Sequence, residues 1–441
     1  MTTPILLSNP SLPAFFPVEL IPNFIVQWAA VLPLVCHLAT TRSDFDLVGY
    51  ASLAGTLSPG IFPELGILVG IASLLKSPDY IELEGALGGT VWDVNWGSHF
   101  RSVNGAALSL VTAYALKQSR NVPIKMSERV PKSQPQTASS TSANSDPSHH
   151  RRYQTLHNLK FTRTETKLSW QTALWTIASS TWLKFVIWVS LFSIAVTLSL
   201  LGLYGTAVGV LCGIASQVMC HYLQICRPYR YLENNEMHDA CMLVGSHSNC
   251  FNWYLCIGDR GIVDGLLNKP MLMFRNGSSG PWSRTANIFT FLHFMQLLAM
   301  TFAAANQGWD SIGMCILMVV AWVMHSLEPL RAVQTWLEKD GISIETKSFQ
   351  FQGRVAMFGA VQIFSQTTVF SWMNDILTPH KRRNIWLKEI CPSLAASLGS
   401  GDMRSLKEAD RKWVEEQTQW SKEAAEVLDE EWPLKLKDAR Q

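Results

Sequence analysis

From Phe185 to Cys226 the chain carries no Asp, Glu, Lys or Arg, and only a Gly202-Leu203-Tyr204-Gly205 turn interrupts the apolar run. A helix needs roughly 20 apolar residues to cross the hydrocarbon of a bilayer. Phe185–Leu201 and Thr206–Cys226 therefore read as two spans in tandem. A second tandem pair follows at Thr285–Trp309 and Ser311–Leu327, joined through Gly308-Trp309-Asp310. Upstream, Phe24–Thr40 is a further span. Leu47–Leu75 is another, broken by Gly55, Pro59, Gly60 and Pro63, so its freed backbone groups need neighbouring partners. Val103–Lys117 is marginally long enough to be a third. The pattern predicts an all-α, polytopic helical membrane protein of about seven spans, within a range of six to eight, with a cytosolic helical tail. Val355–Asn374 also lacks charge, but Gln362, Ser365, Gln366, Thr367, Thr368 and Ser371 within it, and Lys381-Arg382-Arg383 beyond it, favour a helix that stays at the cytosolic side.

Basic residues stay in the cytosol. Between Lys117 and Lys167 there are ten Lys/Arg against three acids, a net of +7, which makes that connector cytosolic. The loop from Lys76 to Arg101 holds two basic and four acidic residues, and the first 41 residues hold no Lys or Arg, so both fit the opposite side. The partition is then an amino-terminal membrane region over 1–120, a basic linker over 121–168, a tandem pair over 169–226, a polar cytosolic loop over 227–284 and a second pair over 285–327. A cytosolic or interfacial segment covers 328–400, and an amphipathic helix covers 401–441. Pro131–His150, rich in Ser, Thr, Pro, Gln and Asn, lacks the apolar surface to offset its ordering entropy and reads as disordered. In the tail, Ser405 and Glu408 form a capping-box pattern, followed by Leu406, Ala409, Trp413, Trp420, Ala424 and Leu428 at mostly helical spacing.

Composition agrees with partial embedding: 48% of the residues are hydrophobic and only 16% charged. Tryptophan prefers the membrane interface, and Trp28, Trp182, Trp188, Trp282, Trp309 and Trp322 lie at or within the apolar runs. The amino terminus lacks the basic region of a cleavable signal, so the first span is expected to direct insertion into the endoplasmic reticulum. The nine cysteines suggest no disulfide framework. Asn276-Gly277-Ser278 is a glycosylation sequon that this orientation leaves cytosolic.

Candidate chemistry concentrates in Arg227–Arg284. His238, Cys241, His247 and Cys250 form H-x2-C-x5-H-x2-C, which has zinc-ligand types but a spacing between pairs far shorter than a finger's. Asp259-Arg260-Gly261 with Asp264 places a cation between two carboxylates. Such a group binds an anion or holds the loop by internal ion pairs, and Arg260 and Lys269 are the candidate anion donors. Glu233, Glu236, His238 and Asp239 have the residue types of general acid/base work, and equally those of a solvated helix start. Within the apolar runs Glu64 is the acidic residue to weigh, because an intramembrane carboxylate is costly. Glu64 and Asp259 are the candidate catalytic carboxylates. No phosphate-binding loop, dinucleotide fingerprint or hydrolase elbow occurs, and no particular cofactor is indicated.

Trp253-Tyr254-Leu255-Cys256-Ile257-Gly258-Asp259-Arg260-Gly261-Ile262-Val263-Asp264, continuing Leu266-Leu267-Asn268-Lys269-Pro270-Met271, resembles a block of a large family of multi-pass membrane proteins of filamentous fungi. Gly359-Ala360-Val361-Gln362 and Trp372-Met373-Asn374-Asp375-Ile376, ending in Arg382-Arg383, resemble a second block. The likeness covers approximately residues 180–390. It implies a fungal source and, for members encoded beside secondary-metabolite genes, a place in that metabolism. It carries over no fold, catalytic residue or ligand. Three functional classes compete: an accessory membrane protein of secondary metabolism, an embedded cyclase or isomerase acting on an isoprenoid-derived substrate, and a transporter or receptor. The expected partners are the lipid bilayer, a hydrophobic small molecule and a protein docking on the carboxy-terminal helix, with no nucleic acid.

Overall fold

The computed structural model describes residues 23–39, 44–57, 59–60, 63, 66–76, 89–118, 123–126, 153–164, 181–223, 225–274, 280–306, 308–351, 353–394 and 403–432. The chain divides into two compact units, each assembled from three separate stretches of sequence. One comprises 1–84, 166–228 and 271–340, and the other 85–165, 229–270 and 341–441.

The first unit is helical. It contains α1 (Asn23–Ala39), α2 (Asp44–Ala54), α3 (Ile67–Lys76), α5 (Thr181–Leu200), α6 (Tyr204–Tyr222), α8 (Gly280–Asn306) and α9 (Trp309–Lys339), with a short ladder of β5 (Ile225–Cys226) and β8 (Met273–Phe274). Three of its helices are long and apolar enough to cross a membrane, over Trp182–Leu200, Arg284–Ala305 and Trp309–Leu327. The expected break in Leu47–Leu75 is real: α2 and α3 flank it. Neighbouring helices satisfy its carbonyls, since Gln217 Nε2 donates to Gly60 O at 2.8 Å and Gln296 Nε2 reaches Pro63 O at 3.5 Å.

Small residues hold this unit together. Gly205, Gly209, Gly213 and Ser216 recur every three or four residues on the buried side of α6, which packs on α5, α8 and α9. A Cβ at Gly205 would meet Ala299 O at 2.8 Å, so the absent side chain is what admits α8. Asp310 fastens one end of the bundle, accepting from Gly205 N and Thr206 N, each at 2.8 Å, and from Thr206 Oγ1 at 2.7 Å. About 46 Å of helix away, by the length of α9, Asp340 pairs with Arg227, which also donates to Leu53 O.

The second unit overturns the all-α expectation. A seven-stranded mixed sheet forms from β1 (Thr90–Asp93), β2 (His99–Arg101), β3 (Ile124–Lys125), β4 (Gln154–Arg163), β6 (Ala240–Gly245), β7 (Asn252–Gly258) and β9 (Ile342–Phe351), in the order β2-β1-β6-β7-β4-β9-β3. Strands β4 and β7 run parallel from Thr155↔Asn252 to Phe161↔Gly258, and β4 and β9 run antiparallel from Gln154↔Phe351 to Arg163↔Ile342. Trp92, Leu156, Leu243, Leu255 and Phe349 point to one face. There they meet α10 (Arg354–Phe364), α11 (Lys381–Ile390) and α12 (Glu408–Glu431). On the alternate positions α7 (Arg260–Leu267) lies against β6 and β7, and α4 (Gly105–Gln118) against α7 and β9. The unit is a three-layer α/β/α sandwich.

Several expectations fall with this. The seven-span count gives way to three helices of spanning length and composition among the described residues. Val103–Lys117 is the sheet-covering α4, not a span. Its buried face combines small residues (Ala106, Ala107, Ala115) with Leu108 and Val111. The stretch from Lys76 to Arg101 does not lie across a membrane from the basic connector, because its β1 and β2 belong to the same sheet as β4. The 121–168 linker contains that central strand, and Pro131–His150 lies outside the described residues, as does Asn276. The uncharged run Val355–Asn374 splits into α10 and a 3-10 turn at Ser371–Asp375. Gln362 is buried there because its amide is used, accepting from Trp372 Nε1 at 2.8 Å and donating to Thr367 O at 2.7 Å. The tail helix is present but begins at Glu408, with Lys407 rather than Ser405 at the N-cap.

Candidate functional site

Asp259, Arg260 and Asp264 meet Glu236 and His238 where β1 and β7 end, β6 begins and α7 starts, whereas His247 and Cys250 lie at the other end of β6. Gly258 closes β7 with φ +112°, a left-handed backbone that glycine adopts freely, and a Cβ there would overlap Phe161 O. Asp259 then caps α7, its Oδ1 accepting from Ile262 N at 3.1 Å. Its Oδ2 pairs with Arg163 Nε at 2.8 Å, and Arg163 Nη2 also donates to Leu232 O at 2.6 Å. Gly261 lets the 229–239 loop lie on α7, since a Cβ would overlap Leu232 O. Gly-Asp-Arg-Gly is thus a strand-to-helix turn with a docked loop, and each of its residue types has a steric or electrostatic reason.

Arg260 is the centre of the cluster. Its side chain is only 6% exposed, and three carboxylates share it: Asp93 Oδ2 at 2.9 Å from Nη2, Glu236 Oε2 at 2.6 Å from Nε, and Asp264 Oδ2 at 3.7 Å from Nε. Asp93 is further fixed by Asn95 N at 2.9 Å and Trp96 N at 3.2 Å. Asn234 Nδ2 donates to Asp264. Burial holds the Asp264 carboxyl above the ordinary carboxylate range, opposed by the charges of Arg260 and Lys269 and reinforced by Asp93 and Glu236. Glu236 Oε2 also lies 3.3 Å from His238 Nε2. Lys269 Nζ donates to Glu233 O at 2.9 Å, and Asn104 Nδ2 caps the end of α7 through Gly265 O, Leu266 O and Lys269 O at 2.7–3.2 Å.

Of the two roles open to Arg260, the internal ion pairs are the one its geometry serves: the guanidinium points at Asp93, Glu236 and Asp264. Lys269 likewise turns to the loop backbone. Asp259, a candidate proton carrier, spends its carboxylate on the helix cap and on Arg163. Glu64, the other candidate, lies outside the described residues.

The four zinc-type ligands do not converge. Strand β6 separates His238 and Cys241 from His247 and Cys250 by roughly 17 Å, at about 3.3 Å per residue. Cys241 is in the sheet core, where burial raises its thiol pKa. His247 and Cys250 shape the β6–β7 turn, where His247 Nδ1 accepts from Asn249 N at 3.0 Å. Among the described residues no group of three or more His, Cys, Asp or Glu is placed to hold a metal ion.

One polar group has no sequence signal. His157 Nδ1 lies 2.8 Å from Ser348 Oγ across β4 and β9, and the imidazole stacks on Tyr254 with centroids 5.2 Å apart. Burial holds His157 below its ordinary pKa. The three residues come from stretches nearly 100 positions apart, and only the strand register unites them. No protein family, no curated protein and no solved structure matches the chain.

Proposed function

We propose that this chain is a multi-pass membrane protein whose helical hairpins hold a single α/β/α domain in one aqueous compartment, where it acts as an accessory or binding domain. The observation that supports it is the composition of the sheet. Strands β1, β2 and β4 precede the α5–α6 hairpin, β6 and β7 lie between the hairpins, and β9 follows α8–α9. Paired strands exchange backbone hydrogen bonds and so share one side of a bilayer. The α8–α9 hairpin, whose two helices both have spanning length and composition, then enters and leaves by the same face, and the same reading has α6 return the chain that α5 carries across. The excess of Lys/Arg between Lys117 and Lys167 supports the cytosol as that face, and endoplasmic reticulum insertion fits the early apolar helices.

The accessory role is supported by the way Asp259, Arg260 and Lys269 are committed to partners within the domain, and by the resemblance to fungal membrane proteins beside secondary-metabolite genes. Glycosylation mapping tests the topology. Sequons introduced at the β6–β7 turn or after α12 should stay unmodified, while one in the α5–α6 or α8–α9 link should be modified. Glycan on the β6–β7 turn would overturn the arrangement. Deletion in the native organism with metabolite profiling tests the role: accumulation of one discrete intermediate would replace it with an enzymatic one.

A further inference from the structure

Lys381-Arg382-Arg383 opens α11, and the first turn of α12 converges on it. His380 is the N-cap of the first helix and Lys407 that of the second. Between these turns lies a cleft of about 420 Å³ lined by His380, Lys381, Arg382, Lys407 and Asp410, with Ser405 and Leu406. Asp410, the lining carboxylate, is engaged by Arg382 Nη1 at 3.0 Å, and the same guanidinium lies 4.2 Å from the centre of the Trp413 ring. Lys381 makes only a long contact, 3.4 Å, to Ser405 O. The His380 ring accepts from Arg383 N at 3.1 Å, but α12 has no side-chain cap. Its first N–H groups and its dipole therefore add positive potential.

Arg383, next in sequence to Arg382 but not part of the cleft's lining, adds a further cation to this turn. Arg383 is 2% exposed, yet its Nε and Nη2 find no hydrogen-bond partner among the described residues, and burial lowers its pKa to about 10. A buried cation without a counter-charge is costly. Burial, and then the charges of Arg382 and Arg383, hold His380 below its ordinary pKa, against the opposing pull of Asp410.

We propose that this cleft binds a phosphate-class anion, carried either by a free phosphorylated small molecule or by a lipid phosphomonoester headgroup. Lys381 and Lys407 supply mobile point charges, Arg382 a guanidinium held in place by Asp410 and Trp413, and α12 its uncapped N–H groups. The site stands whether the domain is accessory or catalytic.

The test uses the full-length protein in phosphatidylcholine nanodiscs, titrated calorimetrically with inorganic phosphate. A parallel arm uses native mass spectrometry after incorporation into nanodiscs containing phosphatidic acid. Lys381 and Lys407 are exposed, so the double variant Lys381→Ser/Lys407→Ser keeps the fold. Lys412→Ser, exposed on the same helix α12 but outside the cleft, is the control. Saturable phosphate binding that weakens at least about tenfold in the double variant, the loss expected for a charge-assisted contact, and persists in the control assigns a free phosphorylated ligand. No phosphate binding, with phosphatidic acid retained by the parent and released by the double variant, assigns a lipid headgroup. Failure of both probes to bind, or binding that the double variant leaves unchanged, overturns the site.

Discussion

In the helical unit the buried positions of α6 include Gly205, Gly209, Gly213 and Ser216, while Phe185, Phe192, Phe291 and Trp322 of its neighbours stand exposed. In the sheet unit Trp92, Trp253, Trp372 and Trp386 are buried, and the exposed positions of α12 include Lys412, Glu415 and Glu416. Both units bury large rings, Phe289 and Trp336 in the first among them, so the contrast lies in the small residues inside α6 and the rings exposed around it. Apolar side chains gain by leaving water, so a unit stocked like the second packs its largest rings inside. In hydrocarbon that gain disappears, and close approach of small residues with a few polar clamps takes over. That contrast is the one the proposed membrane embedding requires.

The sharpest way to break this contrast is a matched pair of truncations. Trp253 stands at the centre of an aromatic row, 5.5 Å from Trp92 and 5.0 Å from Phe358 between ring centroids, and its Nε1 donates to Gln154 Oε1 at 3.1 Å. Trp253→Ala should destabilise the sheet unit by about 3–5 kcal/mol, read as lost hydrogen-exchange protection in β6 and β7. Phe192→Ala, at an exposed position of α5, should change stability in nanodiscs by less than about 0.5 kcal/mol. Comparable losses from the two would show that α5 does not face lipid.

The next effect is electrostatic. Arg260→Met leaves Asp93 and Asp264 buried without their cation, and breaking a buried pair from one side costs about 3–5 kcal/mol. Adding Asp93→Asn should recover part of it, and denaturant melts of the single and double variants measure that recovery. A single variant as stable as the parent would mean that the cluster does not fasten the 229–239 loop. In the helical unit the corresponding probe is steric. A side chain at Gly205 meets Ala299 O and Asp310 Oδ2, both at 2.8 Å. Gly205→Val should therefore cost about 1–3 kcal/mol and loosen the hairpins to protease. Gly209→Ala, whose nearest contact is the side-chain Cδ2 of Leu317 at 3.0 Å rather than backbone, should cost less.

What could be read from the sequence follows the same division. The tandem apolar runs are helices close to where charge-free length placed them, and the Pro59/Pro63 break is where the backbone chemistry required it. Strands β4 and β9 were hidden because their apolar alternation is diluted by lysines that are nonetheless half-covered. Lys347 pairs with Glu431 at 2.7 Å, and Lys160 and Lys347 lie over the Trp432 ring. Strand β6 was hidden for the opposite reason: Ala240–Gly245 is buried throughout, and a short apolar run has no period to report. Val103–Lys117 has the length and lack of charge of a marginal span because neither property distinguishes a buried helix from a lipid-facing one. At the candidate site, internal ion pairing by Arg260 was one of two open readings. Its partner Asp93 was unforeseeable, lying 167 residues away on a stretch assigned to the other side of the membrane.

The smallest expected effect is a pH dependence confined to the sheet unit. His157 is held below its ordinary pKa of 6.5 by burial, so between the folded and unfolded values the unfolded chain binds more protons. Its contribution to stability is therefore present above pH 6.5 and lost as pH falls through the folded value. Asp264 has the opposite sign: its pKa is raised from 3.8, so its contribution is present below that value and lost as pH rises through the folded one. The two contributions have opposite sign, so replacing one residue at a time distinguishes them. His157→Gln should flatten the decline of sheet-unit stability just below pH 6.5 while leaving the carboxylate range unchanged. Thermal melts of the full-length protein across that interval, followed by hydrogen exchange in β4 and β9, provide the measurement. An unchanged decline in the variant would remove the His157–Ser348 pair as its source and point to His380, the other histidine held low by burial.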